Sequence, residues 1–494
     1  MINAFIRKTP PVTDILKEAN DLNSEAKTLI TKAYDYAEKA HRNQKRMSGE
    51  PYFNHVVETA KTLAELKADA DTIAAGLLHD VVEDTPITEE ELSQEFNSTI
   101  CKLVAGVTKL GTLKYQGQKR HVESLRKLFI AMASDIRVIM IKLADRLHNV
   151  KTLEYVKPEK RKRIALETIE IYAPLANRLG IGRLRGPLED YSFPFVYPEE
   201  YKKVMRLRKT KSKNTLKQLK KVARSIQESI IKEGITDFDI DYRVKHIYSL
   251  YNKLKRKNMD IDQIYDLTAL RIILPNQTDC YRVLGLIHSL WRPVPGKLKD
   301  YISNPKHNNY RSIHTTVFTG DGNISEIQIR DRQMHTEAEY GVASHLFYDE
   351  TGKPKTGGQA PTGKLSWITE LAKWQEVASE SEEFINTLKS DFFQNRIFTF
   401  TPRGEVIELP TDAIALDFAY AIHSDVGHQA VGATINGKYS SLTTVLQNND
   451  IIQIETKKDT HPTRKWLEQV KTSTARRHIK QYLTKTDPEF QTTN

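Results

Sequence analysis

Four side chains in the first third of the sequence have the types that hold a divalent cation. His79 and Asp80 stand side by side in LLHDVVEDT, His55 lies upstream in GEPYFNHVVETA, and Asp145 lies downstream in IKLADRLHNV. Two imidazoles and two carboxylates suit an ion such as Mn²⁺. With coordination positions left open, such an ion lowers the pKa of a bound water toward neutrality. Glu83 and Asp84, one turn beyond the His-Asp pair, are placed to orient that water or carry its proton. Arg46, Lys142 and Arg146 are near enough in sequence to receive phosphate oxygens. Taken singly, these are ordinary capping and surface residues. The order H…HD…D, with each member beside an apolar helical run, favours the metal centre.

A second set runs from Arg243 to Gln328. Asp266 stands at the mouth of the β-rich LTALRIIL, and Glu326 in SEIQIR shares a strand face with Gln328 through two-residue alternation. Carboxylates are disfavoured on strands, so a pair on neighbouring strands points to Mg²⁺ binding and to proton acceptance from a hydroxyl. Between them, GKLKDYISNPKHNNYRSIHTT carries Lys297, Lys299, Lys306, Arg311 and His314, interleaved with Tyr301 and Tyr310. The cations would neutralise phosphates, and a tyrosine face would stack a base. Arg243, Lys245 and Lys253 in RVKHIYSLYNKL add a second cationic group. A basic surface loop beside two ordinary strand acids is the plain alternative; the combination favours a nucleotide site.

The elements that must position these residues follow from periodicity. Residues from about 20 to 195 read as helices, for example ETAKTLAEL and ESLRKLFIAMASDIRVIMIKLADRLHNV. A further helix is expected over about 198–233, with Tyr201, Val204, Leu207, Leu216, Leu219, Val222, Ile226 and Ile230 in a rough apolar stripe and its basic residues on a solvated face. Alternating strands and a helix around CYRVLGLIHSLW then mark an α/β or α+β domain to about residue 348. TGKPKTGGQAPTGK is a linker by composition. RIFTFTPRGEVIEL reads as a hairpin turning at Arg403-Gly404, and a basic helix is expected over about 463–485.

The net charge of +11 suits phosphate-rich partners. Two cysteines, Cys101 and Cys280, exclude a disulfide framework and a cysteine-rich zinc site. There is no apolar run long enough to span a membrane, and MINAFIRKTPPVTD lacks a signal-peptide core. A cytoplasmic protein with no membrane partner is expected.

HRNQKRMSGEPYFNH, LLHDVVEDT and KLADRLHNVKTL resemble the hydrolase domain of the RelA/SpoT family, within the HD phosphohydrolase superfamily. Members of that family make and degrade the alarmone (p)ppGpp. The resemblance implies Mn²⁺ at His55, His79, Asp80 and Asp145, a water assisted by Glu83 and Asp84, and guanine-nucleotide contacts at Arg46 and Asn149. RVKHIYSLYNKL, YDLTALRIIL, KDYISNPKHNNYRSIHTTV and EIQIRDRQMHTEAEYGVASH resemble the family's synthetase domain. That domain transfers pyrophosphate from ATP to the 3′-hydroxyl of GDP or GTP. Asp266 would then coordinate Mg²⁺, Glu326 would bind metal or activate the hydroxyl, and Tyr310 would stack on guanine. Arg243, Lys245, Lys253, Lys297, Lys299, Lys306, Asn308, His314 and Gln328 would hold the substrates. FTFTPRGEVIELPTDAIALDFAYAIHSDVG resembles the TGS domain, a β-grasp fold that in ribosome-associated members contacts the CCA end of deacylated tRNA; His423 matches the histidine linked with that contact.

The expected fold class is therefore multidomain, α and α+β. The expected divisions are an HD-type hydrolase domain over 1–195, a nucleotidyltransferase-like mixed-sheet synthetase over 196–350, a linker and connecting helix over 351–392, a TGS domain over 393–457 and the start of a helical regulatory region over 458–494. Longer members continue into further regulatory domains, so a long-type chain cut short after TGS is expected. The implied function is bifunctional: synthesis and hydrolysis of (p)ppGpp in the stringent response. The two sites would be coupled through the helices around 165–233. Alternatives are a hydrolase with a weak synthetase, or a ribosome- and tRNA-binding stress sensor.

Four departures from the family pattern stand out. Met47 replaces a lysine, Lys297 stands where arginine is common, so a point charge replaces a forked donor, and Asn309 stands where glycine is common. Gly186-Pro187 replaces Trp-Glu, and the proline is expected to start or kink its helix at residue 187.

Overall fold

The computed structural model describes residues 9–19, 22–111, 134–264, 266–306, 308–320, 323–347, 396–487 and 490. They form two compact units, one ending at residue 347 and one beginning at 396. The expected linker and connecting helix over 351–392, and the ESLRKLFIAMA stretch, lie outside the described residues.

In the first unit, α1 (Phe53–Glu65), α2 (Ala70–Leu78) and α3 (Ile136–Lys151) carry the first candidate set. Val56, Ala60 and Leu63 of α1, Ala74 and Leu77 of α2, and Ile139, Leu143 and Ala144 of α3 are fully buried against one another. A Cβ on Gly76 would lie 2.4 Å from Leu63 Cδ1, so glycine here leaves room for the Leu63 side chain between α1 and α2. The starts of α2 and α3 are tied together. Asp69 caps α2 by accepting from Thr72 N at 2.8 Å, and Asp135 caps α3 by accepting from Arg137 N at 2.9 Å. The buried Arg137 guanidinium then bridges both caps, at 3.1 Å to Asp69 and 2.7 Å to Asp135. Arg137→Met should lower stability by about 2 kcal/mol or more, because it strands two carboxylates that share one cation. A denaturant midpoint equal to that of the unsubstituted protein would contradict this.

A π-helical turn, Thr168–Tyr172, leads into α4 (Ala173–Arg178), α5 (Gly182–Val196) and the long α6 (Pro198–Lys232). Of the two outcomes expected at Pro187, a helix start and a kink, the start is not found. Helix α5 starts at Gly182 and contains Pro187. The proline forfeits a single bond, to the carbonyl of the exposed Arg183, which solvent reaches, while Leu184, Leu188 and Phe193 are buried and hold the helix in place.

The mixed sheet has the order β1-β2-β5-β4-β3: β1 (Asp239–Val244), β2 (Thr268–Leu274), β3 (Lys299–Asp300), β4 (Ile313–Phe318) and β5 (Ile324–Asp331). Only β2 and β5 run parallel. Alternation divides β5 cleanly. Ile327 and Ile329 enter a core with Leu219, Val222, Ile226 and Ile230 of α6 and with Val283 and Ile287 of α8 (Gln277–Leu290), while Glu326 and Gln328 face the other side. The first residues of α7 (Ile247–Lys255) abut α5. After β5 comes α9 (Arg332–Tyr340).

The second unit holds the expected hairpin, β6 (Arg396–Phe400) with β7 (Val406–Pro410), turning at Gly404 with φ of 83°. It also holds α10 (Ala415–Ile422) and a sheet of β8 (Ala430–Ile435), β9 (Lys438–Ser440) and β10 (Ile452–Thr456). The single basic helix expected near the end is instead two, Arg464–Gln469 and α11 (Ser473–Thr486). The break has a partner: the buried Asp417 carboxylate of α10 accepts from Lys471 N, Thr472 N and the Thr472 hydroxyl at 2.8–3.1 Å. Among the described residues no helix is long and apolar enough to cross a membrane.

Candidate active sites

The first set converges. His79 Nε2 lies 3.1 Å from Asp80 Oδ2, and His55 Nε2 lies 3.5 Å from Asp80 Oδ2 and 3.2 Å from Asp145 Oδ1. The tautomers follow from the outer partners. Arg46 can only donate, and it reaches His148 Nδ1 at 2.8 Å, so that nitrogen accepts. His55 Nδ1, also 2.8 Å from His148 Nδ1, must therefore carry the hydrogen. His79 Nδ1 donates to the Gly76 carbonyl at 2.8 Å. Both Nε2 lone pairs thus point inward at carboxylate oxygens. Four electron-pair donors facing one another demand positive charge at their centre. Burial lowers His79, but Asp80 more than reverses this and pushes it up to about 9, so a shared proton supplies part of that charge. A divalent cation would supply all of it, and His55, His79 and Asp80 have the mutual spacing to hold one. The donor set fits a cation of the kind expected.

The surrounding residues prepare this centre. Lys142 Nζ sits 2.8 Å from Asp145 Oδ2; burial alone would raise Asp145, but this ammonium outweighs it and holds the acid well below the usual range. Asn149 donates to Asp145 Oδ1 at 2.5 Å and accepts from Arg46 at 2.8 Å, so the two expected nucleotide-contact residues bind each other beside the centre. Asp84 is linked to Asp80 through Tyr52, whose hydroxyl lies 2.7 Å from a carboxylate oxygen of each. Partial burial raises Glu83, with Lys142 opposing and the carboxylates of Asp80, Asp84 and Asp145 reinforcing it. A raised carboxyl is better suited to taking up a proton than an ordinary one. Arg146 is a correction: its guanidinium lies over the Tyr172 ring at 4.2 Å and 3.4 Å from Glu167, a packing role that does not offer it to phosphate. Met47 is 64% exposed and, as a thioether, supplies no charge at this position.

The second set lines a cavity of about 840 Å³ over the polar face of the sheet. Arg243, Lys245, Lys253, Lys297, Lys299, Lys306, Asp266, His314, Glu326 and Gln328 all face it, as expected. Its two carboxylates are already paired. Asp266 is held by Lys245 at 2.5 Å and Lys253 at 2.7 Å. Glu326 accepts from Gln328 at 2.9 Å and lies 3.4 Å from His314 Nδ1. Burial would raise Glu326, yet His314 and Gln328 pull it down to about 2. Asn308 and Tyr310 are not in the cavity wall. Asn308 donates to the Asn177 carbonyl at 3.2 Å and accepts from Tyr310 N at 3.3 Å. The Tyr310 hydroxyl lies 2.9 Å from His314 Nε2, which links it to Glu326 through the imidazole. Lys306 Nζ rests 4.5 Å from the Tyr301 ring centre and 4.9 Å from that of Tyr310. Asn309 takes φ of 58°, a left-handed conformation that glycine adopts freely and asparagine tolerates.

Burial, with Lys299, Arg243 and Arg185 nearby, lowers Lys306 to about 8. The free site therefore loses this charge above that value, and binding a phosphate must recapture the proton. Nucleotide affinity should fall up to about tenfold per pH unit as pH rises above about 8. Equilibrium titration between about pH 7 and about pH 10 tests this; a flat profile contradicts it.

His423 belongs to the second unit. It caps a short helix, accepting from Asp425 N at 3.2 Å, and its side chain is 65% exposed.

Sequence reasoning missed Tyr52, His148 and Arg185. His148 follows Asp145 by three residues, so helical spacing had already put them on one face. Tyr52 lay within a quoted motif. Arg185 had no comparable mark.

A helical centre built for a cation, joined to a mixed sheet bearing a polycationic cavity, defines a two-centred phosphate-handling protein. Residues 33–182 match the HD domain, residues 242–353 the region found in RelA and SpoT proteins, and residues 397–456 the TGS domain. The chain is 45% identical over 461 residues to the guanosine-3′,5′-bis(diphosphate) 3′-pyrophosphohydrolase of Aquifex aeolicus (strain VF5), covering 93% of this chain and 65% of that one. It is 44% identical over 459 residues to a GTP pyrophosphokinase of Myxococcus xanthus, covering 92% and 60%. It is 42% identical over 455 residues to the bifunctional (p)ppGpp synthase/hydrolase SpoT of Escherichia coli (strain K12), covering 92% and 64%. The chain thus spans 60–65% of the length of these relatives. It belongs to the RelA/SpoT family, with a helical HD domain, a mixed-sheet synthetase-type domain and a TGS domain.

Proposed function

We propose that this chain both makes and destroys (p)ppGpp. The helical centre hydrolyses the 3′-pyrophosphate of (p)ppGpp to GDP or GTP, and the sheet cavity transfers pyrophosphate from ATP to the 3′-hydroxyl of GDP or GTP. One observation carries this: His55, His79 and Asp80 with the mutual spacing to hold a cation, Asp145 against His55, and a separate polycationic cavity with two carboxylates stand in the same unit.

At the helical centre, His55, His79, Asp80 and Asp145 would hold Mn²⁺, which supplies a water of lowered pKa. Glu83, with its raised pKa, exchanges the proton, while Asp84 and Tyr52 orient the attacking group. Arg46 and Asn149 present the nucleotide. At the cavity, Asp266 and Glu326 would hold Mg²⁺ with the nucleotide, which requires Lys245 and Lys253 to turn from Asp266 to phosphate oxygens. Arg243, Lys297, Lys299 and Lys306 neutralise phosphates, Gln328 and His314 fix Glu326, and Asn308 sets the loop from which Tyr310 stacks on guanine.

Contact of His423 with deacylated tRNA on the ribosome, and a cytoplasmic location, belong to the same proposal. Incubation with ATP, GDP and Mg²⁺ should yield ppGpp, and incubation of ppGpp with Mn²⁺ should release pyrophosphate. Failure of the first alone would leave a hydrolase; failure of both would leave a nucleotide or tRNA sensor.

A further inference from the structure

The cavity wall includes a residue that lies in neither matched segment: Arg185, on α5 of the helical region. Its guanidinium is held from behind. Nε donates to Glu189 Oε1 at 3.0 Å, and NH1 donates to Asn177 Oδ1 at 2.8 Å. Glu189 is a buried carboxylate whose other oxygen accepts from Ser249, another residue of the cavity wall, at 3.3 Å. The placement of α5 is equally tight. A Cβ on Gly186 would fall 2.2–2.4 Å from the His246 ring, and Asp190 accepts from Tyr248 N at 3.0 Å. NH2 of Arg185 meets no protein acceptor among the described residues, and the side chain remains 43% exposed.

Arg185 and Lys306 line the same cavity, and the charge on Arg185 joins burial, Lys299 and Arg243 in disfavouring the ammonium of Lys306. Glu326 offsets only part of this at Lys306, because Asp266 and Glu326 are also engaged with Lys245, Lys253, His314 and Gln328, and cations remain in excess around the cavity. A polyanion between them removes the repulsion. Arginine also supplies what the lysines of this wall cannot, a planar fork that grips two oxygens of one phosphate.

We propose that Arg185 is a phosphate-binding residue of the synthetase cavity, contributed by the helical region and aimed by Asn177 and Glu189. This deepens the function proposed above and rests on it only for naming the nucleotides. The shared chemistry is the phosphate chain of a nucleoside di- or triphosphate, and separate ATP and GDP arms identify which nucleotide Arg185 serves.

The test is equilibrium binding of ATP and of GDP by calorimetry to the full chain. Arg185→Gln should weaken one of them about tenfold or more, and Arg185→Lys should recover part of the loss because the charge returns without the fork. Asn177→Ala keeps the carbonyl that holds Asn308 and removes only the acceptor for NH1, so it should weaken the same nucleotide by a smaller factor. Thermal unfolding of each variant separates this from misfolding. If Arg185→Gln, with an unchanged melting temperature, binds both nucleotides within twofold of the unsubstituted protein, Arg185 has no such role. Because binding is read without turnover, absence of pyrophosphate transfer in the unsubstituted protein would refute the synthetase function and leave the Arg185 result standing.

Discussion

Asp80→Ala should abolish release of pyrophosphate from ppGpp, with a loss of roughly 10³-fold or more. Asp80 Oδ2 is the point on which the centre turns, 3.1 Å from His79 Nε2, 3.5 Å from His55 Nε2 and within 2.7 Å of the Tyr52 hydroxyl. Its removal takes away a ligand and the carboxylate that contributes most to raising His79 against burial, leaving only Asp145 and the Gly76 carbonyl to oppose it. It also unhooks Tyr52 from the centre, leaving Asp84 as its partner. Pyrophosphate transfer should persist, since no residue of the sheet cavity contacts Asp80. The measurement is hydrolysis of ppGpp in saturating Mn²⁺ alongside synthesis from ATP and GDP. Hydrolysis within about tenfold of the unsubstituted protein would remove the metal centre as the seat of the reaction.

Glu326→Gln should lower transfer by roughly 10²- to 10⁴-fold while hydrolysis continues. The amide preserves shape and removes charge. His314 and Gln328 hold Glu326 at about 2, so it is ionised at every working pH. A carboxylate that weakly basic is suited to neutralising a cation-bound nucleotide more than to capturing a proton. The residual activity of the variant should therefore follow the same pH profile as the unsubstituted enzyme. A lost acidic limb in the variant would instead make Glu326 a proton acceptor, and unchanged transfer would dismiss it from the site.

Much of the candidate chemistry was legible before the fold. His55 and Asp145 sit in apolar helical runs and His79-Asp80 directly follow one, so burial of those runs forces the polar members together. The alternation in SEIQIR put Glu326 and Gln328 on one face, and they bond there at 2.9 Å. Other features depend on partners remote in sequence. Arg137 becomes a bridge only when the caps of α2 and α3 meet, and the role of Tyr52 needs Asp84 from 32 residues away. Pro187 did not mark the start of α5, because the roughly 3 kcal/mol that a proline costs inside a helix is opposed by burial of Leu184, Leu188 and Phe193. Val342 N bonds to the Leu179 carbonyl at 2.8 Å, joining the helical region to the end of α9 by main chain alone, which no side-chain pattern announces.

By itself the sequence determined the kinds of group present and their local order: which helices and strands form, and which faces carry ligands, acids and cations. Periodicity acts over a few residues, and so does the information it holds. Tertiary structure decided which nitrogen of His55 and His79 points inward, which cations were already spent, and that Arg185 of the helical region lines the same cavity as Lys306 of the sheet domain. Those outcomes are set by close packing and hydrogen-bond geometry between distant segments, and only the folded chain brings those segments within reach.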